Sequence, residues 1–176
     1  MITQQEIKDV LDYDPLTGKL YWKKRPLSMF STKRNCNSWN AQYAGKEAFI
    51  SDNGRGYKQG AINNKLYKAH RIIFMMVYGH WPDQIDHIDQ NRSNNSLQNL
   101  REVSNQDNQK NARKRADNTS GTTGVTWNKV ANAWYARIGV NGSKVTIGRF
   151  DTKQEAVKAR LEAEKFYNYH PNHGKG

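Results

Sequence analysis

Asp86-His87, Asn99 and Asn108 are the residues of this chain whose types and order suit metal-assisted chemistry on a phosphodiester. Such a reaction needs hard oxygen ligands for a divalent cation, a base that generates hydroxide near neutral pH, and charge near the departing oxygen. Histidine suits the base because its ordinary pKa of about 6.5 lies close to neutrality. Aspartate brings negative charge to a cation, and asparagine brings a neutral oxygen. An Asp-His pair alone is the ordinary property of a structural, hydrogen-bonded histidine; it gains meaning from the asparagines that follow it. Its adjacency also makes a geometric demand. Neighbours in a regular strand point to opposite faces, so both residues serve one site only where the strand ends or distorts.

The elements that must position these groups follow from pattern. Residues 84–89 are strand-like, and Gln90-Asn91-Arg92-Ser93-Asn94-Asn95-Ser96 is a polar run with strong turn preference. Leu97, Leu100 and Val103 supply the next buried contacts, and 103–112 is polar enough for an exposed helix. Upstream, Thr3-Gln4-Gln5-Glu6 has the form of a capping box followed by Ile7, Val10 and Leu11 at helical spacing. Asp14-Pro15 stops that helix and Gly18 turns the chain into a strand over 19–22. Residues 23–44 show no period and are expected to be loop. Strands are expected at 46–50 and 57–62, and the apolar run 69–78 predicts a core helix with Ile72, Ile73, Met76 and Val77 on one stripe. In the last sixty residues, strands are predicted at 124–128, 133–140 and 143–150, with Asn141-Gly142 as a hairpin turn. Thr152-Lys153-Gln154-Glu155 is a second capping box, opening a helix with Ala156, Ala159, Ala163 and Phe166 on one face. The fold class expected is α+β.

Composition narrows the partners. The chain has 176 residues and a formal net charge of +12. Its excess spreads as +6 over 1–69, +2 over 70–116 and +4 over 117–176, a long basic surface rather than one tail. The densest run, Lys110-Asn111-Ala112-Arg113-Lys114-Arg115, could be merely a solvated linker, but the wider excess points to a polyanion. An acidic membrane surface competes, although no basic amphipathic helix is visible. No run of about 18 apolar residues could span a bilayer. The first residues lack a basic and apolar leader, so secretion is not expected. Cys36 is the only cysteine, which excludes an internal disulfide and a cysteine-built zinc site. Five Trp and 11% aromatics argue against disorder. His170 and His173 lack further ligands and read as tail; His70 reads as core support and His80 as surface or packing.

Asp86-His87-Ile88-Asp89, Asn94-Asn95, Asn99-Leu100-Arg101 and Asn108 resemble the HNH endonuclease motif in the form carried by phage and intron-encoded homing nucleases. Leu11-Asp12-Tyr13-Asp14-Pro15-Leu16-Thr17-Gly18, Tyr21-Trp22, Ala69-His70-Arg71 and Tyr78-Gly79-His80-Trp81-Pro82 fit the same family, so the resemblance covers most of 9–111. It implies a ββα-metal core. By position, Asp86 and Asn108 would bind one ion, Mg²⁺ or Mn²⁺ on the chemistry of oxygen and amide ligands. His87 would activate water, and Asn99 would orient His87 through the intervening loop. The products implied are 5′-phosphate and 3′-hydroxyl ends. The chain departs from its relatives at Gln90 and Asn91, where Gly and Asp are frequent, and at Asn94, where Asp is frequent.

Gly124-Val125, Trp134-Tyr135-Ala136-Arg137-Ile138 and Ile147-Gly148-Arg149-Phe150-Asp151-Thr152, followed by Glu155-Ala156, resemble the Apetala-two/ERF-type DNA-binding domain over about 121–167. In that family a three-stranded sheet enters the major groove with the helix behind it. Strand alternation puts Thr126, Asn128, Lys144 and Thr146 on the DNA side, with Arg149 past the glycine; Arg137 stands where the family uses a contacting polar residue. Trp127 and Trp134 suit either packing or stacking on the backbone. Plant relatives carry Arg where Thr126 and Asn128 stand, so their target sequence does not transfer.

The expectation is therefore a metal-dependent, sequence-tolerant DNA endonuclease of the homing or nicking type. Its nuclease domain would span 1–112 (with the ββα-metal core at about 69–112), its basic linker 113–123 and its DNA-binding domain 124–170. Lys110, Arg113, Lys114 and Arg115 would hold phosphates. The partner expected is double-stranded DNA, bound by a monomer, with a dimer that could cut both strands left open, in the cytoplasm of a phage-infected bacterium. A non-catalytic DNA-binding phage regulator is the alternative, and an RNA-binding or structural protein a further one that leaves the Asp-His pair unexplained.

Overall fold

The Thr3 hydroxyl accepts from the Glu6 amide while the Glu6 carboxylate accepts from the Thr3 amide. This reciprocal cap satisfies donors otherwise orphaned at a helix start and launches α1 (Gln4–Val10), which buries Ile7 and Val10. The computed structural model describes residues 2–112, 114 and 116–175. The chain divides into two compact units, Met1–Glu102 and Val103–Gly176, each with its own core.

In the first unit, β1 (Leu11–Asp14), β2 (Lys19–Trp22) and β3 (Glu47–Ala48) form an antiparallel sheet in that order. Between β2 and β3 lies α2 (Lys33–Tyr43), capped by Thr32. A second antiparallel sheet joins β4 (Ser51–Asp52), β5 (Lys58–Ile62) and β6 (Lys65–Lys68). Then comes α3 (Ala69–Tyr78), closed by Gly79 at φ 79°, where a side chain would be strained. The unit ends in a two-stranded pair, β7 (Ile85–His87) and β8 (Leu100–Glu102). Ile72 and Ile73 of α3 are fully buried and join Ile7, Leu11, Leu20 and Ile62 in the core. The apolar run that predicted α3 is thus the centre of the unit.

Two segments differ from the expected elements. Residues 23–44 are not loop: besides α2 they hold a 3₁₀ turn at Leu27–Met29. No apolar period marks α2 because Cys36 is its only buried residue. Tertiary bonds hold it instead. The Asn40 side chain accepts from the Arg25 amide and donates to the Arg25 carbonyl, and the Arg25 guanidinium sits 4.0 Å from the Trp39 ring. The expected strand 46–50 survives only as β3, Glu47–Ala48: Phe49 at φ 59° breaks it, and β4, which follows at Ser51–Asp52, joins a different sheet. The unexpected β6 follows a tight turn at Asn63-Asn64, both at positive φ, a conformation asparagine tolerates.

The second unit holds α4 (Asn105–Lys110), the strands β9 (Val125–Asn128), β10 (Ala133–Val140) and β11 (Ser143–Phe150), and α5 (Lys153–Phe166). Its sheet is antiparallel in the order β11-β10-β9, turned at Asn141 (φ 51°) and Gly142 (φ 78°). Ala136 and Ala156 are fully buried where α5 lies on the sheet, and Thr152 caps α5 as its sequence predicts. The histidine at 173 does not behave as free tail. Its side chain is buried against Arg160, whose Nη2 lies 3.2 Å from His173 Nε2, and Tyr169 donates to the Gly139 carbonyl. Backbone bonds run from His170 to Lys110 and from Gly174 to Ala112. The division between units at Glu102 and Val103 places α4, and with it Asn108, in the second unit, whereas the expected nuclease domain ran to 112.

The arrangement of helices among small antiparallel sheets is α+β. Among the described residues, no helix is long and apolar enough to cross a membrane.

Candidate active site

His87 is the last residue of β7, and the chain turns immediately after it: the Gln90 amide donates to the His87 carbonyl, with Gln90 at φ 64°. The strand thus ends at His87, directly after the pairs Asp86–Arg101 and His87–Leu100. Both side chains are buried.

Asp86 faces Arg101 across the pair β7–β8, and its Oδ2 accepts from Arg101 Nε at 2.9 Å and Nη2 at 2.6 Å. The guanidinium thus orients the Asp86 carboxylate through one of its oxygens.

The His87 Nε2 lies 3.1 Å from Asn95 Oδ1. An amide oxygen can only accept, so in the neutral ring Nε2 carries the proton and the lone pair falls to Nδ1. The ring is walled by Tyr57 at 5.9 Å and by His70, edge-on, at 5.1 Å. Burial pushes the pKa of His87 down, against opposing contributions from the Asn95 hydrogen bond and the charges of Asp89 and Asp86. The side chain therefore favours its neutral, proton-accepting form.

Asn99, expected to orient His87 through the loop, does hold that loop. Its Oδ1 accepts from the Asp89 amide, its Nδ2 donates to Asp89 Oδ1 and to the Asn94 carbonyl, and its own carbonyl accepts from the Ile88 amide. The side chain that touches the ring is Asn95, which sequence reasoning did not assign. One more polar residue in a turn-rich run carries no signal that its amide will meet a histidine. Asn94 gains a reason as well: its Nδ2 donates to Asp89 Oδ2 at 2.7 Å, where an ionised Asp would meet a like charge. Burial would raise the pKa of Asp89, but the bonds from Asn94, Asn91 and Asn99 outweigh it and hold the carboxyl below its usual range.

The segment 13–18 buttresses the same loop. Tyr13 Oη donates to the Asn95 carbonyl at 2.9 Å, and the Leu97 amide donates to the Pro15 carbonyl at 3.1 Å. Gly18, at φ 73°, abuts the Asn95–Ser96 peptide so closely that a Cβ there would lie 2.3 Å from the Ser96 nitrogen. The family-like motif at 11–18 thus has a physical role: it fixes the backbone of the residue that holds the His87 ring.

His70 supports the site from behind, as its sequence position suggested. It is buried, its Nδ1 has no hydrogen-bond partner among the described residues, and burial, reinforced by the charges of His87, Lys68 and Arg71, pushes its pKa down to about 3. In the second unit burial, with the charge of Arg160, takes His173 down to about 4. Folding disfavours the proton on both rings, so their stabilisation is complete above the unfolded value of about 6.5 and drains away below it. We expect each pH unit below about 6.5 to cost roughly 1.4 kcal/mol per such histidine. Melting temperatures from pH 8 to 4 should fall steeply, with a shallower acid limb in His70→Phe; a flat profile would contradict the buried neutral rings.

Asn108 lies on α4, where its amide donates to the Ser104 carbonyl. Among the described residues no cluster of three or more His, Cys, Asp or Glu side chains could hold a metal ion. The donor chemistry available, one buried carboxylate with amide oxygens nearby in sequence, fits a cation of the Mg²⁺ type. Such an ion keeps water and takes one or two carboxylates plus substrate phosphate oxygens.

In the second unit the sheet sorts the expected DNA-facing residues. Thr126 and Arg149 both pair with Tyr135, Arg137 pairs with Thr146, and Lys144 pairs with Gly139; directly paired residues share a face. Arg149 joins Thr146 on that face because a bulge in β11 interrupts the register after Ala136. All five polar side chains are exposed. Asn128 is partly engaged, its Oδ1 accepting from the amides of Val130 and Ala131, and Arg149 donates to the Ala131 carbonyl. Trp134 packs at the edge of the core while Trp127, 5.3 Å from it, stays 42% exposed. Lys110 closes α4, with Asp107 at 3.8 Å, and Lys114 is half-buried. Arg113 and Arg115 lie outside the described residues.

Residues 67–110 match the family model described as HNH endonuclease. The match takes in α3, β7, β8 and α4, with Asp86, His87, Asn99 and Asn108, and it supports reading this segment as an HNH nuclease domain. No curated protein and no solved structure matches the chain.

Proposed function

We propose that this chain is a divalent-metal-dependent DNA endonuclease that hydrolyses phosphodiester bonds with His87 as general base. The observation that carries the proposal is the His87 ring itself. It is buried beside Asp86, biased to its neutral form, and held at Nε2 by an amide oxygen that directs its lone pair to Nδ1. It also stands inside the segment that matches HNH endonucleases.

In the reaction, His87 Nδ1 accepts a proton from the attacking water as the water oxygen bonds to phosphorus. The ring becomes cationic, and its Nε2–H bond to Asn95 strengthens with the charge. The bond from phosphorus to the 3′ oxygen breaks, and that oxygen takes a proton from solvent water, leaving a 3′-hydroxyl and a 5′-phosphate. Asp86 and Asn108 are the proposed ligands of one Mg²⁺ or Mn²⁺, which when bound would neutralise charge on the phosphoryl and departing oxygens. Arg101 holds the Asp86 carboxylate, and Asn99 holds the loop behind His87.

The exposed sheet face of the second unit, with Thr126, Arg137, Lys144, Thr146 and Arg149, is the proposed platform on duplex DNA, with Asn128 at its edge and the basic segment 110–115 on phosphates. A homing or nicking role for a monomer, in phage-infected cytoplasm, completes the proposal.

Supercoiled DNA incubated with the chain and Mg²⁺ is expected to convert to the nicked form, and EDTA to abolish conversion. Tight binding with no cleavage under Mg²⁺ or Mn²⁺ would make the chain a non-catalytic DNA-binding regulator instead.

A further inference from the structure

Tyr57 forms one wall of the His87 ring, and two cations converge on the same tyrosine. Lys68 Nζ lies 4.7 Å and the Arg92 guanidinium 5.0 Å from its ring centroid. Both side chains are exposed, and among the described residues neither has a carboxylate within ion-pair distance. Their placement is built. Arg92 Nη1 donates to the Arg55 carbonyl at 3.1 Å and Ser93 Oγ to the Gly56 carbonyl at 2.9 Å, which ties the loop after His87 to the turn between β4 and β5. Lys68 ends β6 two residues before His70, with Ala69 opening α3 between them.

Two positive charges gathered on one ring repel one another, and a tyrosine face stabilises an exposed cation only weakly. Such an arrangement is relieved by an anion that both can reach. A protein that only needed to solvate these charges could place them apart.

We propose that Lys68 and Arg92, seated on Tyr57, form a clamp for backbone phosphates of the DNA strand presented to His87. The proposal rests on the nuclease reading for its place beside the reaction, though not for the contact with DNA. The clamp acts through charge on the sugar-phosphate backbone, so it supplies affinity and register while leaving base sequence unread.

The test uses the full chain, a labelled plain duplex and a KCl titration, first in EDTA for binding and then in Mg²⁺ for nicking. Lys68→Gln and Arg92→Gln are each expected to weaken binding about tenfold and to flatten the slope of log affinity against log salt by about one. The double variant should flatten it by about two. Under Mg²⁺, KM should rise while kcat stays within about threefold, the pattern of lost uniform binding. Arg92→Lys, which keeps the charge, should retain the wild-type slope. Both side chains are exposed, so melting temperatures should hold. Unchanged affinity and slope in the double variant would overturn the clamp, and so would a fall in kcat at unchanged KM. If the wild-type chain cuts no DNA, the nuclease reading fails while the salt slopes still decide the clamp.

Discussion

His87→Ala is expected to lower DNA cleavage by roughly 10²–10⁴-fold, the usual contribution of a general base, while affinity for duplex DNA stays within about twofold. The separation follows from where the ring sits. His87 is buried between Tyr57, His70 and Asn95, so it adds no net charge to the DNA-facing surface, and its loss removes the proton acceptor without removing phosphate contacts. The substitution also strips Asn95 Oδ1 of its partner, and an unsatisfied buried acceptor costs about 1–3 kcal/mol. A lower melting temperature should therefore accompany the lost activity, and turnover must be read well below it. Added imidazole should restore part of the rate, because the vacated space has the shape of the lost ring. If His87→Ala keeps more than a tenth of wild-type cleavage, the base lies elsewhere.

The second large effect is expected far from the chemistry in sequence. Gly18→Ala should lower kcat by about 100-fold with little change in DNA affinity. An alanine Cβ would lie 2.3 Å from the Ser96 nitrogen and 2.4 Å from the Asn95 carbonyl carbon, and both are backbone atoms that cannot swing aside. The φ of 73° adds strain of about 1–3 kcal/mol for a residue other than glycine. The loop must move, and Asn95 moves with it. A displacement of about 1 Å at a positioning residue can cost 10²-fold in rate. Asn95→Ala should lower kcat in the same direction without the backbone strain. A folded Gly18→Ala protein with wild-type kcat would show that the buttress does not reach His87.

Local signals were legible where the chain satisfies its own backbone. The capping boxes at Thr3 and Thr152, the Asn141-Gly142 turn and the apolar run of α3 each fall where short-range chemistry puts them. α2 was not legible, because its stability comes from Asn40 and Trp39 gripping Arg25 rather than from an apolar stripe. The break at Phe49 and the bulge in β11 are decided by partners distant in sequence, and a strand pattern cannot show them. At the candidate site, the motif brought forward Asp86, His87 and Asn99; Asp86 and His87 lie buried at the end of β7. What touches what was not legible: Arg101 on Asp86, Asn95 on His87, and Tyr13 with Gly18 behind Asn95 are contacts between residues whose types alone suggest only surface polarity or turns.

The backbone bonds from His170 to Lys110 and from Gly174 to Ala112 make the second unit a closed ring in its topology. Closing a loop of this length, about sixty residues, carries an entropic cost that grows only slowly with length, so insertions between the strands should be tolerated thermodynamically. The order of events during synthesis is less forgiving. The sheet and α5 can form from neighbouring residues, but the ring cannot shut until 170–174 have left the ribosome. A nascent chain stalled before that point would therefore carry its basic segment at 110–115 on an unclosed unit.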